Sequence, residues 1–222
     1  MKPEDYLIKL RERMVAEQIE SRHLNNPDLL AAMRKVPRHR FVPPKYLDAA
    51  YEDRPLQIGE NQTISQPYIV ALMTNLLHLT GEEIVLEIGT GSGYQAAILA
   101  ELSKQVYTIE RHASLAKRAE TIIKDLGTLN VHVKQGDGSC GWPEHAPYDG
   151  IMVTAAAPKV PDPLLDQLKV GGTLVLPVGG LGVQYLQTWK KTEKGYDYDM
   201  VVPVAFVPLR GRYGFEKDWY DR

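Results

Sequence analysis

The sequence predicts an α/β fold: a mostly parallel central sheet with helices on both faces, an N-terminal helical extension and C-terminal edge strands. Three observations predict it. Between about residues 84 and 177, short apolar runs alternate with segments of helical spacing, as βαβ units require. A glycine turn, Gly89-Thr90-Gly91-Ser92-Gly93, follows the first of these runs and opens a helix. Two strand-like runs near the end have no helix between them, which suggests strands at least partly antiparallel closing one edge.

Leu7, Ile8, Leu10, Met14, Val15 and Ile19 recur at helical spacing, so a helix is expected over about residues 4–20. A second, about 26–35, follows Asn25-Asn26-Pro27-Asp28, where Asn or Asp can cap and Pro27 suits the first turn. The stretch 36–67 holds Pro37, Pro43, Pro44, Pro55 and Pro67 with aromatic residues between them. It is expected to be irregular or a series of short turns, and functional rather than disordered. A helix is then expected over Tyr68 to Leu79 and a strand over Ile84 to Ile88. Helices at Ser92–Leu102, Ser114–Leu126 and Pro163–Leu168 alternate with strands at Val106–Ile109, Val131–Lys134, Gly150–Thr154 and Thr173–Pro177. Val183–Trp189 and Met200–Val207 read as the edge strands, with Lys190–Asp199 a solvated hairpin turn. One domain, 1–222, is expected: helices and a Pro-rich active-site loop in 1–67, a ligand-binding core in 68–180, edge strands and tail in 181–222.

The net charge of −2 and sequence pI of 6.3 provide no global positive field for nucleic acid or an anionic membrane. The basic cluster of Arg34-Lys35 with Arg38-His39-Arg40 reads as a solvated face or a substrate-anion site more readily than as a phosphate-contacting patch. Cys140 is the single cysteine, which suits a reducing compartment. The charged N-terminus does not read as a signal peptide, and no run of about 18 apolar residues is present. A cytoplasmic location is expected. The six histidines lack metal-ligand spacing, so no metal is expected.

The glycine turn lies where open α/β sheets bind ligands, at the carboxyl edge. Its spacing, Gly-x-Gly-x-Gly, brings the third glycine one residue too early for a dinucleotide fingerprint. Glu87, just before the turn, would also repel a pyrophosphate. S-adenosylmethionine (AdoMet) has no phosphate and carries a sulfonium, so it tolerates that carboxylate. Glu110, 17 residues after Gly93, closes the second strand, where a carboxylate can accept both ribose hydroxyls. Asp137, in Gly136-Asp137-Gly138 after the next strand, is placed to take the adenine amine. Three acids at successive strand ends point to one pocket, and the fold class sharpens to a Rossmann-like AdoMet-dependent methyltransferase.

The chain resembles the protein-L-isoaspartate O-methyltransferases, which methylate age-damaged aspartyl residues. The resemblance runs through Pro37-Arg38-His39-Arg40-Phe41-Val42-Pro43, Tyr51-Glu52-Asp53-Arg54, Gln62-Thr63-Ile64-Ser65-Gln66-Pro67, the turn from Glu87 to Gly93, Gly136-Asp137-Gly138, Gly171-Gly172 and Val207-Pro208-Leu209. Thr63-Ile64-Ser65 is the most specific of these. The resemblance implies a functional serine at Ser65, substrate binding by Gln62, Thr63, Ile64 and Ser65, and AdoMet contacts at Glu87, Gly89, Gly91, Gly93, Glu110, Asp137 and Gly138. It implies S-adenosylhomocysteine as co-product, and damaged proteins and peptides carrying L-isoaspartyl residues as partners. Apart from the resemblance, a monomer without nucleic-acid or membrane partners is expected. Asn61 departs from the glycine many members carry, and Arg210 has no role in the family pattern.

The implied acceptor is a free α-carboxylate with an intrinsic pKa of about 3.3–3.7, already an anion at neutral pH. No general base is needed, and nothing near Ser65 in the sequence suggests a His and acid to make it a nucleophile. Ser65 reads as a positioning donor under a Pro-rich lid. The alternative is a small-molecule or nucleic-acid methyltransferase on the same scaffold. A nucleic-acid enzyme should carry Asn/Asp-Pro-Pro-aromatic after the fourth strand, whereas the sequence there is Thr154-Ala155-Ala156-Ala157-Pro158.

Overall fold

The structure, a computed structural model, describes residues 3–180 and 182–216. Helix α1 (Glu4–Gln18) buries Leu7, Met14 and Val15 and carries Glu4 and Asp5 in its first turn, where acids oppose the helix dipole. In α2 (Pro27–Lys35) the Asn26 side chain accepts the N–H groups of Asp28 and Leu29 at 3.0 and 3.2 Å, directly ahead of Pro27.

The stretch expected to be irregular holds more order than its prolines suggest. After 3-10 turns at Arg38–Phe41 and Pro44–Ala49, β1 (Leu56–Gly59) and β2 (Gln62–Ile64) form an antiparallel hairpin. Glu60 and Asn61 both take positive φ, 51° and 54°, as a two-residue hairpin turn requires. Asparagine tolerates that conformation, so Asn61 is compatible with the turn. Leu56, Ile58 and Ile64 are buried on one side of the hairpin and pin it to the core.

Helix α3 (Pro67–Asn75) leads to β3 (Ile84–Ile88), α4 (Tyr94–Ala100), β4 (Gln105–Glu110), α5 (Ala113–Asp125), β5 (Val131–Gln135), β6 (Tyr148–Val153), α6 (Asp162–Asp166), β7 (Leu168–Gly179), β8 (Gln184–Thr192) and β9 (Gly195–Val204). The seven-stranded sheet has the order β5-β4-β3-β6-β7-β8-β9, parallel from β5 to β7 and antiparallel from β7 to β9. Several bounds move from expectation, and α3 ends at Asn75 rather than Leu79. Strand β7 begins at Leu168, and the turn joining β8 to β9 is confined to Glu193-Lys194. The Trp189 and Tyr198 rings stack across the pair at 4.8 Å, so aromatic packing extends the ladder into a segment that reads as polar.

Strand periodicity divides the sheet between two cores. Val85, Val106, Met152 and Val175 face a core with residues of α1–α5, while Leu86, Ile88, Ile151, Val153, Leu174 and Leu176 face another with Leu164 of α6. The chain runs outward from β3 to β5 and returns to β6 on the other side of β3. The strand order therefore reverses between β3 and β6, the place where such sheets open a ligand crevice. No helix among the described residues is long and apolar enough to cross a membrane.

Candidate functional site

The glycine turn leaves β3 at this reversal. Gly89 has φ +97°, and a Cβ there would run into the Thr154 hydroxyl, which donates to the Gly89 carbonyl at 2.7 Å. Thr154 follows β6 directly, and its N–H donates to Ile88 O at 2.9 Å. The two strand ends are thus stitched together at the turn. Gly93, φ +90°, starts α4, and a Cβ there would stand 3.0 Å from that of Ala119 in α5. Its hydrogen is what allows the two helices to close up.

The three acids fare differently. Glu110, 4% exposed, accepts the Gly91 N–H on Oε2 and the His112 N–H on Oε1, each at 2.9 Å, so its carboxylate is oriented by backbone before any ligand arrives. Glu87 is fully buried; Thr108 donates to Oε2, and Oε1 has no partner among the described residues. Burial pushes the Glu87 carboxyl up to about 8; the Thr108 hydroxyl opposes this and nearby Glu110 adds to it. Asp137 is exposed and turned toward the C-terminal segment: Oδ1 accepts the Ser139 N–H and hydroxyl, and Oδ2 accepts the Arg212 N–H at 2.7 Å. Partial burial raises its carboxyl, but the Arg212 N–H and the Ser139 donors outweigh that and hold it below the usual range.

Three cavities meet at Thr63 and Thr154. The first is narrow, about 60 Å³; Gly89, Gly91, Glu110 and Gly138 line it, with Gln62 of the hairpin and Val207–Arg210 as its walls. The second, about 40 Å³, lies beside the turn between Ser65, Thr90, Ser92 and Gln95, and no basic side chain lines it. The third is an open groove of about 610 Å³ between Ser65, Tyr68 and the chain from Val202 to Val207. Ser65 faces both the second cavity and the groove. Its hydroxyl has no partner among the described residues, while its carbonyl accepts from Arg38 at 2.7 Å. Of the residues the sequence nominated, Gln62, Thr63, Ile64, Ser65, Gly89, Gly91, Glu110 and Gly138 line this system. Glu87, Gly93 and Asp137 support it from outside.

The C-terminal wall is held by Ala156, whose N–H donates to Val207 O at 2.8 Å and whose carbonyl accepts from Leu209 N at 2.7 Å. Thr154 and this wall escape sequence reading. A threonine ending a strand carries no signal, and the wall is apolar main chain far from the motifs. The basic cluster is not one surface. Arg34 pairs with Glu12 and Glu20, Lys35 pairs with Glu101, Arg38 is fully buried, and His39 is buried against the Tyr51 hydroxyl. Trp142 and Tyr148 pack the loop rather than wall the cavity, with the Tyr148 hydroxyl donating to Trp142 O.

This donor set fits AdoMet. Glu110 presents a preoriented carboxylate at the strand end, Glu87 keeps a buried oxygen without a partner among the described residues beside the turn, and no basic side chain among those residues lines the second cavity itself, Arg38 lying behind Ser65 and Tyr94. The buried Glu87 also has a consequence for the free protein. Its folded pKa of about 8 exceeds the unfolded value of about 4.3, so the native state holds the proton more tightly. Stability contributed by this group is full below the unfolded pKa and is lost as pH rises to about 8. Glu87→Gln removes the titration. We expect the variant to melt roughly 5–10 °C above the parent at pH 8.5, with the gap closing toward pH 5, as read by thermal unfolding without ligand. A gap independent of pH would assign the burial cost to another group.

A family model described as protein-L-isoaspartate(D-aspartate) O-methyltransferase (PCMT) matches residues 9–214. A protein-L-isoaspartate O-methyltransferase of Synechococcus sp. (strain JA-2-3B'a(2-13)) is 57% identical over 206 residues, 90% of this chain and 84% of the relative. One of Dictyoglomus turgidum (strain DSM 6724 / Z-1310) is 52% identical over 94% of both chains. Among solved structures, a protein-L-isoaspartate O-methyltransferase superposes with a TM-score of 0.85 at 29% identity, covering 92% of this chain and 67% of that one. A Plasmodium falciparum structure titled as a putative member, in complex with S-adenosyl-L-homocysteine, gives 0.78 at 25% identity, covering 90% and 98%.

Proposed function

The chain belongs to the protein-L-isoaspartate(D-aspartate) O-methyltransferase family, and from that premise we propose which of its residues carry the reaction. The enzyme methylates the free α-carboxylate of L-isoaspartyl residues in damaged proteins and peptides with AdoMet, which starts their repair through a methyl ester and succinimide. The observation that carries the assignment of roles is the meeting of the three cavities at Thr63 and Thr154, with Ser65 facing two of them.

AdoMet, when bound, supplies an electrophilic sulfonium methyl. Glu110 holds the ribose hydroxyls, Gly89, Gly91 and Gly138 let the ligand approach the backbone, and Gly93 sets the helix start beneath it. Glu87, the buried acid behind the turn, would serve the methionine end, and Asp137 would serve the adenine side through the loop it organises. The groove takes the isoaspartyl peptide. Ser65 donates to the carboxylate oxygen that does not attack, while Gln62, Thr63 and Ile64 form the lid hairpin that separates the reactants from water. Placement of this kind contributes up to roughly 7–11 kcal/mol in ideal intramolecular cases. A monomer acting in the cytoplasm, without nucleic-acid or membrane partners, completes the reading; the pI of 6.3 and the lone free Cys140 support it.

The test is transfer of labelled methyl from AdoMet to matched peptides carrying L-isoaspartate or L-aspartate at one position. Base-labile label on the isoaspartyl peptide alone is expected. Equal labelling of both, or of neither, would defeat the assignment.

A further inference from the structure

Arg38 is the largest fully buried side chain among the described residues. Its Nε donates to Ala50 O at 2.8 Å and its Nη2 to Ser65 O at 2.7 Å, the guanidinium lies 5.0 Å from the Tyr94 ring centroid, and Nη1 has no partner. No carboxylate pairs with it among the described residues. Burial lowers its pKa only to about 10, so it stays charged at neutral pH. Removing a charge from water without a counterion is expensive, and packing alone would be served by an apolar side chain.

The surroundings show what the charge faces. Arg22, on the groove wall, pairs with Asp53 at 2.8 Å and lies over the Tyr68 ring, while Asp53 also accepts the Tyr68 N–H. Asp53 is also the carboxylate whose field reaches Arg38. Glu52 and Arg54 next to it neutralise each other at 2.6 Å. Arg22 thus takes Asp53 as its direct partner, Arg38 feels that carboxylate only at a distance, and among the described residues no acidic side chain lines the groove. Arg38 is left as a buried cation with no paired carboxylate among the described residues, and it is bonded to the residue read above as meeting the acceptor.

We propose that Arg38 is a positioning residue for methyl transfer: it fixes Ser65 by its carbonyl and leaves a net positive charge beneath the groove that draws in the acceptor carboxylate. This rests on the reading of Ser65 given above. A charge shielded from solvent is screened little by salt, and the acceptor is the anion it attracts.

The experiment compares Arg38→Gln, Arg38→Lys, Asp53→Asn and Ser65→Ala. It measures kcat and KM for an isoaspartyl peptide at low and high salt, with S-adenosylhomocysteine affinity by calorimetric titration. We expect Arg38→Gln to raise peptide KM about tenfold, by a similar factor at low and at high salt, and to keep S-adenosylhomocysteine affinity within about twofold. Arg38→Lys should recover most of the KM. Asp53→Asn, which adds a positive charge to the balance, should lower KM. A merely structural role predicts the reverse pattern: glutamine and lysine equally impaired, S-adenosylhomocysteine affinity falling with KM, and Asp53→Asn raising KM. That pattern would overturn the proposal. Should Arg38→Gln fail to fold, the sign of the Asp53→Asn shift decides alone. Unchanged kinetics in Ser65→Ala would defeat the Ser65 reading, whereas opposite KM shifts at positions 38 and 53 would still uphold the charge.

Discussion

Ser65→Ala is expected to cost roughly 10²-fold in kcat/KM for an isoaspartyl peptide, the scale on which one preorganised donor acts, and to leave S-adenosylhomocysteine affinity unchanged. The hydroxyl has no partner among the described residues, so its removal breaks no internal hydrogen bond, and the fold should tolerate alanine. The Ser65 carbonyl remains tied to Arg38, which keeps the backbone in register. What is lost is the donor facing both the groove and the cavity beside the glycine turn. Steady-state kinetics paired with titration separates the effects. A parallel loss of S-adenosylhomocysteine affinity would mean that Ser65 builds the cofactor cavity instead of orienting the acceptor.

Glu110→Ala should produce the complementary result, a loss of S-adenosylhomocysteine affinity of roughly 10²-fold or more. Hydrogen bonds to a charged group contribute about 1.5–3 kcal/mol each, and in the proposed role this carboxylate accepts two from the ribose besides the two it accepts from the chain. The Gly91 N–H it accepts belongs to the glycine turn and the His112 N–H to the entry of α5, so alanine removes a ligand contact and an anchor of the turn together. Glu110→Gln retains one acceptor oxygen and should fall between. Titration with S-adenosylhomocysteine reads both without turnover. Affinity within threefold of the parent in the alanine variant would remove Glu110 from the cofactor site.

The alternation of strand and helix, the glycine turn and the acid closing β4 were legible because each is written in a few contiguous residues with one backbone solution. The hairpin of β1 and β2 was not. Glu60 is an unusual residue for positive φ, and the flanking prolines speak louder than the spacing of Leu56 and Ile58. Asp137 shows a different limit. A strand-end acid looks the same in sequence whether it meets a ligand or, as here, the N–H of Arg212, 75 residues away. Arg38 shows a third. Its neighbours in sequence are basic, but Arg34 finds Glu12 on α1 and Glu20 just after it, and Lys35 finds Glu101 just past the end of α4, while Arg38 turns inward. Counting charge along the chain cannot separate a solvated cation from a buried one.

The wall formed by Val207 to Arg210, held to Ala156 and followed by the Arg212 N–H on Asp137, also sets when the protein becomes competent. A chain leaving the ribosome makes its sheet progressively from β3 onward, at about 5–20 residues per second. The nucleoside cavity nevertheless lacks one side until residues 207–212 have emerged and crossed back over the end of β6. Chains cut short before residue 207 would therefore lack that wall and withhold little AdoMet from the cell.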